Sequence, residues 1–144
     1  HAFWMVINTF KLAEKDTDQQ SYLPGLYKSN DVKLIEEDKQ FMIQLLRQTA
    51  VNENYFQELI AQKTKNWEVE RIAQLDIILM MMALTEFIHF PEIPIKVSMN
   101  EYIEISKQYS TPRSQSFING VLDKIVPELT AQGIIVKTGR GLQS

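Results

Sequence analysis

The chain has no cysteine and only two histidines, His1 and His89. The first absence excludes disulfides, thiolate metal ligands and cysteine nucleophiles, and the second argues against a multi-histidine metal site. Arginine is missing before Arg47, and 15 lysines and arginines face 18 aspartates and glutamates, for a formal net charge of −3. Gripping nucleic acid by bulk charge needs clustered cations, which this balance does not supply. Long apolar runs are lacking too. The longest, Ile77 to Leu84, falls far short of the ~20 residues that span a bilayer, so no membrane is implied. No leader, phosphate-binding glycine loop, converging carboxylate pair or base-activated nucleophile is visible, so no catalytic residue, cofactor or metal ligand is assigned. The chain opens with His1 rather than methionine, which reads as the trimmed beginning of a protein that extends upstream.

What is present is helical periodicity. With 144 residues, 44% hydrophobic and 23% charged, the chain has the size and composition of one globular domain burying roughly two-thirds of its unfolded surface. Residues 3–15 put Phe3, Val6, Ile7, Phe10 and Ala13 on one helical face. Leu23-Pro24-Gly25-Leu26 is turn chemistry, with a cap at Ser29 or Asn30 beyond it. From Asp31 to about Ala50, Leu34, Ile35, Phe41, Met42, Leu45 and Leu46 keep helical spacing. Asn52 can cap a shorter helix through Lys63, and Asn66 restarts the pattern toward Trp67, Val69, Ile72 and Leu75. The apolar run then reads as a buried helix, with Met80-Met81-Met82 as core filling and Asp76 complementing the dipole in its first turn.

Two prolines in Phe90-Pro91-Glu92-Ile93-Pro94 end that helix, and His89 reads as a helix-end residue. Ser98-Met99-Asn100-Glu101 has the form of a capping box, with Val97 and Tyr102 spaced as a hydrophobic staple. Thr111-Pro112 is expected to open the last long helix and Pro127 to close it, leaving a frayed tail from Gln132 that carries three of the five glycines. The sum is an all-α chain of about six helices. Only Ile134-Ile135-Val136 offers a competing strand pattern.

One conflict stands inside the last helix. Asn119-Gly120 is a turn dipeptide, yet Phe117, Ile118, Val121, Leu122 and Ile125 keep a helical stripe through it. The stripe outvotes the dipeptide. Glycine in a helix interior costs about 1 kcal/mol relative to alanine, and a second helix crossing too closely for a side chain is the simplest compensation. Asn119 and Gly120 are accordingly assigned to packing, and Asn100, Glu101 and Asp123 to caps and inter-helix hydrogen bonds.

Trp67, Glu70-Arg71, Asp76, Ala83-Leu84 with Glu86, Ile93-Pro94 with Lys96-Val97, Asn100-Glu101, Ile103-Glu104 with Lys107, and Phe117 through Asp123 stand in order over some sixty residues. In that order and spacing they resemble the NusB family of transcription antitermination factors. The resemblance is strong over residues 67–127 and carried only by pattern over 1–66, with 128–144 as a tail. It implies a single NusB-like helical domain of two packed three-helix bundles. Departures are plain: residues 1–30 lack the family's arginine-rich helix, Ile77 and Met81 stand where arginines are common, Thr85 replaces a tyrosine, and Arg113 replaces an acidic residue. Either the chain is the C-terminal portion of a longer NusB-like protein or this branch has replaced that helix, and the start at His1 favours the first reading.

The resemblance implies a cytoplasmic, non-enzymatic RNA-binding adaptor that takes boxA-type RNA together with NusE, a small-subunit ribosomal protein. It places Phe117 at the RNA face, where an exposed ring would stack on an unpaired base. Periodicity alone makes the same ring the first rung of the buried stripe. The solvent-facing platform is the expectation adopted, because polar residues surround it. Asp76 matches an acidic position near RNA and partner, against a plain helix-start role. Arg113, Gln115 and Ser116 share a helix start whose open N–H groups and dipole suit phosphate, against an ordinary solvated turn. Homodimerisation that hides the RNA face stays open. So do two other classes: the NusB-like domain of a ribosomal-RNA cytosine methyltransferase, and a protein-interaction module without RNA binding.

Overall fold

A computed structural model describes residues 32–65 and 72–143. The expected helix at 3–15, the turn at Leu23–Leu26, the caps at Ser29, Asn30 and Asn66, and the resemblance at Trp67 and Glu70-Arg71 lie outside them. The described residues form five α-helices and a short 3-10 turn: α1 (Val32–Val51), α2 (Glu53–Lys63), α3 (Gln74–His89), α4 (Ile95–Tyr109), α5 (Ser114–Ala131) and Gly139–Leu142. Among them there is no strand, so Ile134-Ile135-Val136 is not one.

The chain divides into two compact units, residues 1–47 and 48–144. In the first, α1 buries Met42 and Leu45, one turn apart, and exposes Lys33, Glu36, Glu37 and Lys39. Lys33 reaches Glu37 at 3.9 Å and Gln40 donates to Glu36 at 2.9 Å, one turn apart. Such surface pairs add a few tenths of a kcal/mol each. The amphipathic stripe does the rest.

The second unit is built around α3, which packs against α2, α4 and α5, while α5 also meets α2 and α4. Its ten buried residues run from Asp76 through Phe87. A helix apolar on all sides has to be wrapped on all sides, and the three methionines are core, as their place in the run predicts. Thr85 donates to the Met81 carbonyl at 3.0 Å and meets the Thr49 hydroxyl at 2.8 Å. Lys63 and Glu128 join α2 to α5 as a part-buried ion pair.

Several local expectations are corrected. Asn52 makes no side-chain cap to α2; its amide donates backwards to the Gln48 carbonyl at 2.8 Å and approaches the His89 ring at 3.5 Å. The capping box at Ser98 does not form, because α4 begins earlier, at Ile95 after Pro94. Proline at that boundary has no N–H to satisfy, and the cap falls at Pro94, four residues sooner than Ser98. Ser98 is then buried and donates to Glu86 Oε1 at 3.2 Å, and Val97 is exposed rather than stapled to Tyr102. The last helix starts at Ser114 rather than beside Thr111, and it runs through Pro127 to Ala131. Pro127 is exposed, so the Asp123 carbonyl that loses its helical donor there lies on the wet side.

Nor is the tail frayed. Gly133, at φ 71°, takes the left-handed conformation that closes α5. Ile134 N–H returns to the Leu129 carbonyl at 2.9 Å and Gly133 N–H to Thr130 at 3.1 Å, the paired bonds of a Schellman stop. Ile135 is then buried, and Lys137 Nζ donates to the Glu86 and Phe90 carbonyls at 3.1 and 3.0 Å. Those are end carbonyls of α3, the negative pole of its dipole. Thr138 N–H bonds the Pro91 carbonyl at 3.1 Å. Gly141 lies so close that an added Cβ would sit 1.9 Å from Pro91 O. The segment is a strap over the α3–α4 corner.

Gly120 refutes the close-crossing expectation. It is exposed, and a Cβ there would meet nothing within 4 Å. Asn119 is exposed too, donating to Asp123 Oδ2 one turn on at 2.9 Å, so neither residue serves helix packing. Asn100 and Glu101 are exposed on α4.

Candidate nucleic-acid interface

The α4–α5 connection is held by one carboxylate. Asp76 stands in the first turn of α3 and is buried. Ser110 donates to its Oδ1 at 2.5 Å and Ser114 to its Oδ2 at 2.7 Å. Each hydroxyl has one proton, so with both given to Asp76 the 2.9 Å Ser114–Ser110 contact carries no hydrogen bond of its own. Ser114 Oγ in turn accepts the Thr111 N–H at 3.1 Å and the Thr111 hydroxyl at 2.8 Å. Carboxylate, two serines and a threonine form a saturated bracket joining the start of α3 to the start of α5.

Above the bracket lies the first turn of α5. Arg113, Gln115 and Ser116 are exposed. Ser114 N–H goes to the Thr111 carbonyl and Phe117 N–H to Arg113. Among the described residues no acceptor takes the N–H groups of Gln115 or Ser116, as expected at a helix start. Ser116 Oγ turns back to the Arg113 carbonyl at 3.2 Å. The turn thus offers one guanidinium fork and two free amides, aligned with the positive end of an 18-residue helix.

The structure brings the five sequence-derived residues to one end of α5 but splits them. Arg113, Gln115 and Ser116 face solvent. Phe117 is only 9% exposed, so the expectation of a solvent-facing ring is corrected. The stripe that begins at Ile118 takes in Phe117 as well, because 117, 121 and 125 lie one above another. Asp76 is 4% exposed and both its oxygens accept serine protons. Its geometry is that of a support.

Sequence reading missed Ser110 and Ser114 as partners for Asp76. Their one-turn spacing across Thr111-Pro112 was the available signal. It also missed a second buried cluster. Glu86, fully buried, has its carboxyl pushed up to about 7 by desolvation, against the opposing pull of Tyr102, Ser98 and Lys137. Burial lowers Lys137 to about 8, partly offset by Glu86. The Tyr102 hydroxyl is pushed well above its ordinary value by burial and the neighbouring carboxylate, and burial lowers His89. Ser98, bonded to Glu86 Oε1, ties α4 to α3, and Lys137, on the Glu86 and Phe90 carbonyls, ties the strap to the end of α3.

Among the described residues no helix is long and apolar enough to cross a membrane. Helices wrapped on an all-round apolar α3, with a bracketed helix start open at the surface, define a small all-helical fold. The chain belongs to the NusB family, whose match covers residues 4–127 and so reaches well upstream of the segment where the resemblance is strongest. It is 47% identical over 111 residues to the transcription antitermination protein NusB of Salinibacter ruber, an overlap of 75% of this chain and 69% of that protein. The corresponding protein of Chloroherpeton thalassium is 39% identical over 104 residues, 72% of this chain and 49% of the relative. A solved structure of T. maritima NusB superposes with a TM-score of 0.60 at 25% identity, covering 88% of this chain and 86% of that one.

Proposed function

We propose that the chain works in transcription antitermination as a cytoplasmic RNA-binding adaptor without catalytic activity, taking boxA-type RNA together with a NusE-type ribosomal protein. Family membership and relatives that are antitermination proteins support this over a methyltransferase domain. The observation that carries it is the first turn of α5, where Arg113 and the free N–H groups of Gln115 and Ser116 stand on a rigid bracket. Arg113 forks onto a phosphate, the two amides bind a second phosphate oxygen or a base edge, and Ser116 adds a hydroxyl. Asp76 and Phe117 hold that turn from beneath, Asp76 through the serines and Phe117 by packing.

With a net charge of −3, the chain by itself binds RNA weakly, with a shallow salt slope. The ribosomal protein supplies a second RNA surface at high effective concentration and tightens the complex. Titrating a labelled boxA-type RNA with the chain, with and without that partner, tests the reading. Tightening by the partner is expected. Equal affinity in both arms, or tight partner-free binding with a steep salt slope, would overturn it.

A further inference from the structure

Gly120 has no explanation inside the chain. It sits within a continuous helix, faces solvent, and leaves nothing within 4 Å of where its Cβ would be. Its chain neighbour Asn119, and Asp123 one turn on, line a groove of about 700 Å³ between α4, α5 and the strap, together with Lys96, Met99, Asn100 and Leu142 among others. That volume is in the range of small-molecule sites.

We propose that this groove is a nucleotide-binding continuation of the RNA surface, in which Asn100, Asn119 and Asp123 read the edge of one unpaired base. The proposal rests on the RNA-binding reading above. Three observations carry it. First, Arg113, Ser116, Gly120 and Asp123 are all exposed and follow at three- or four-residue steps, so they form one ridge of α5. The ridge spans about 15 Å at 1.5 Å per residue, leading from the phosphate-binding turn into the groove. Glycine at its middle keeps the ridge low enough for a strand of RNA to lie along it.

Second, the polar groups suit a base rather than a run of phosphates. Asn119 donates one amide proton to Asp123 Oδ2 at 2.9 Å. That leaves Asp123 Oδ1, Asn119 Oδ1 and the second Asn119 proton for a ligand, an adjacent set of acceptors and a donor. Exposed Asn100 adds another of each, Lys96 is the cation for the attached phosphate, and Met99 and Leu142 give apolar contact to the ring faces. Third, the wall is preformed. Gly141 against Pro91, and Lys137 on the end carbonyls of α3, fix the strap segment that closes the groove. Little ordering is then lost on binding.

The test uses the full chain with its NusE-type partner and two boxA-type RNAs, one minimal and one extended by several nucleotides. Gly120→Leu, which obstructs the ridge, and the double variant Asn100→Ala/Asn119→Ala both alter exposed positions, and their melts are checked against wild type. Each is expected to weaken the extended RNA about tenfold, the scale of one or two lost hydrogen bonds, and to leave the minimal RNA unchanged. Equal affinity of wild type and variants for both RNAs would overturn the groove while the RNA-binding reading stands. So would a loss confined to the ribosomal protein measured without RNA, which would make the groove a protein-docking site. Failure of wild type to bind either RNA would overturn both readings together.

Discussion

Removing the Asp76 carboxylate tests the bracket at its centre. In Asp76→Ala, Ser110 and Ser114 lose the oxygens they bond at 2.5 and 2.7 Å. Hydrogen bonds to charged groups contribute about 1.5–3 kcal/mol each, and a buried donor left alone costs a similar amount. Both hydroxyls have a partial refuge: they lie 2.9 Å apart, so one can donate to the other. One of the two losses is then softened, and the net cost is about 2–4 kcal/mol, or roughly 10 °C in Tm for a chain of this size. Asp76→Asn keeps one acceptor oxygen and should lose about half as much. Thermal melts of both variants by circular dichroism check the order wild type, then Asn, then Ala. A melt of the alanine variant within 1 °C of wild type would refute the bracket as an energetic element. Because the bracket sets the first turn of α5, the alanine variant should also bind RNA more weakly than its folded fraction accounts for.

Three further outcomes follow from the same geometry. Phe117→Ala should cost about 3 kcal/mol or more in chemical denaturation, as truncation of a buried ring does; a loss under 1 kcal/mol would return the ring to the surface. Gly120→Ala should raise stability by about 0.5–1 kcal/mol, since the helix gains propensity and the methyl group meets open space; a destabilised variant would mean that a neighbour does close on that position. The Glu86 carboxyl, raised from 4.5 to about 7, binds a proton more tightly in the folded chain. Its contribution is therefore full below pH 4.5 and is lost as pH rises through 7, by about 3 kcal/mol. Glu86→Gln should flatten the stability profile between pH 5 and 8 and be more stable than wild type at pH 8, read from denaturant midpoints at each pH.

The helices themselves were legible because burial follows the 3.6-residue period. Leu79 through Phe87 could only be a wrapped helix, and Val121, Leu122 and Ile125 carried α5 through Asn119-Gly120. Helix ends were less so. Ser98 and Thr111 both carry capping chemistry, but a serine is equally good at meeting a buried carboxylate across the fold. Ser98 went to Glu86, and Ser114 took the bonding that Thr111 was expected to organise. That choice depends on which helix packs alongside, and local sequence does not contain it. The tail failed for the same reason. Glycines at 133, 139 and 141 suggest looseness, whereas Gly133 closes a helix and Gly141 permits contact with Pro91. At the candidate site, the exposed trio Arg113, Gln115 and Ser116 was readable from polarity. Burial of Phe117 and Asp76 was not, because it is set by the partners that α3 and α4 supply.

The most direct measurement is the affinity of a boxA-type RNA for the chain in the presence of a NusE-type ribosomal protein, comparing wild type with Arg113→Glu. Arg113 is exposed, so the melt should not move. Replacing the guanidinium with a carboxylate at a phosphate contact should weaken the RNA about tenfold or more. It should also reduce the salt slope by about one. Unchanged affinity and slope in the charge-reversed variant would contradict the assignment of the α5 helix start to RNA.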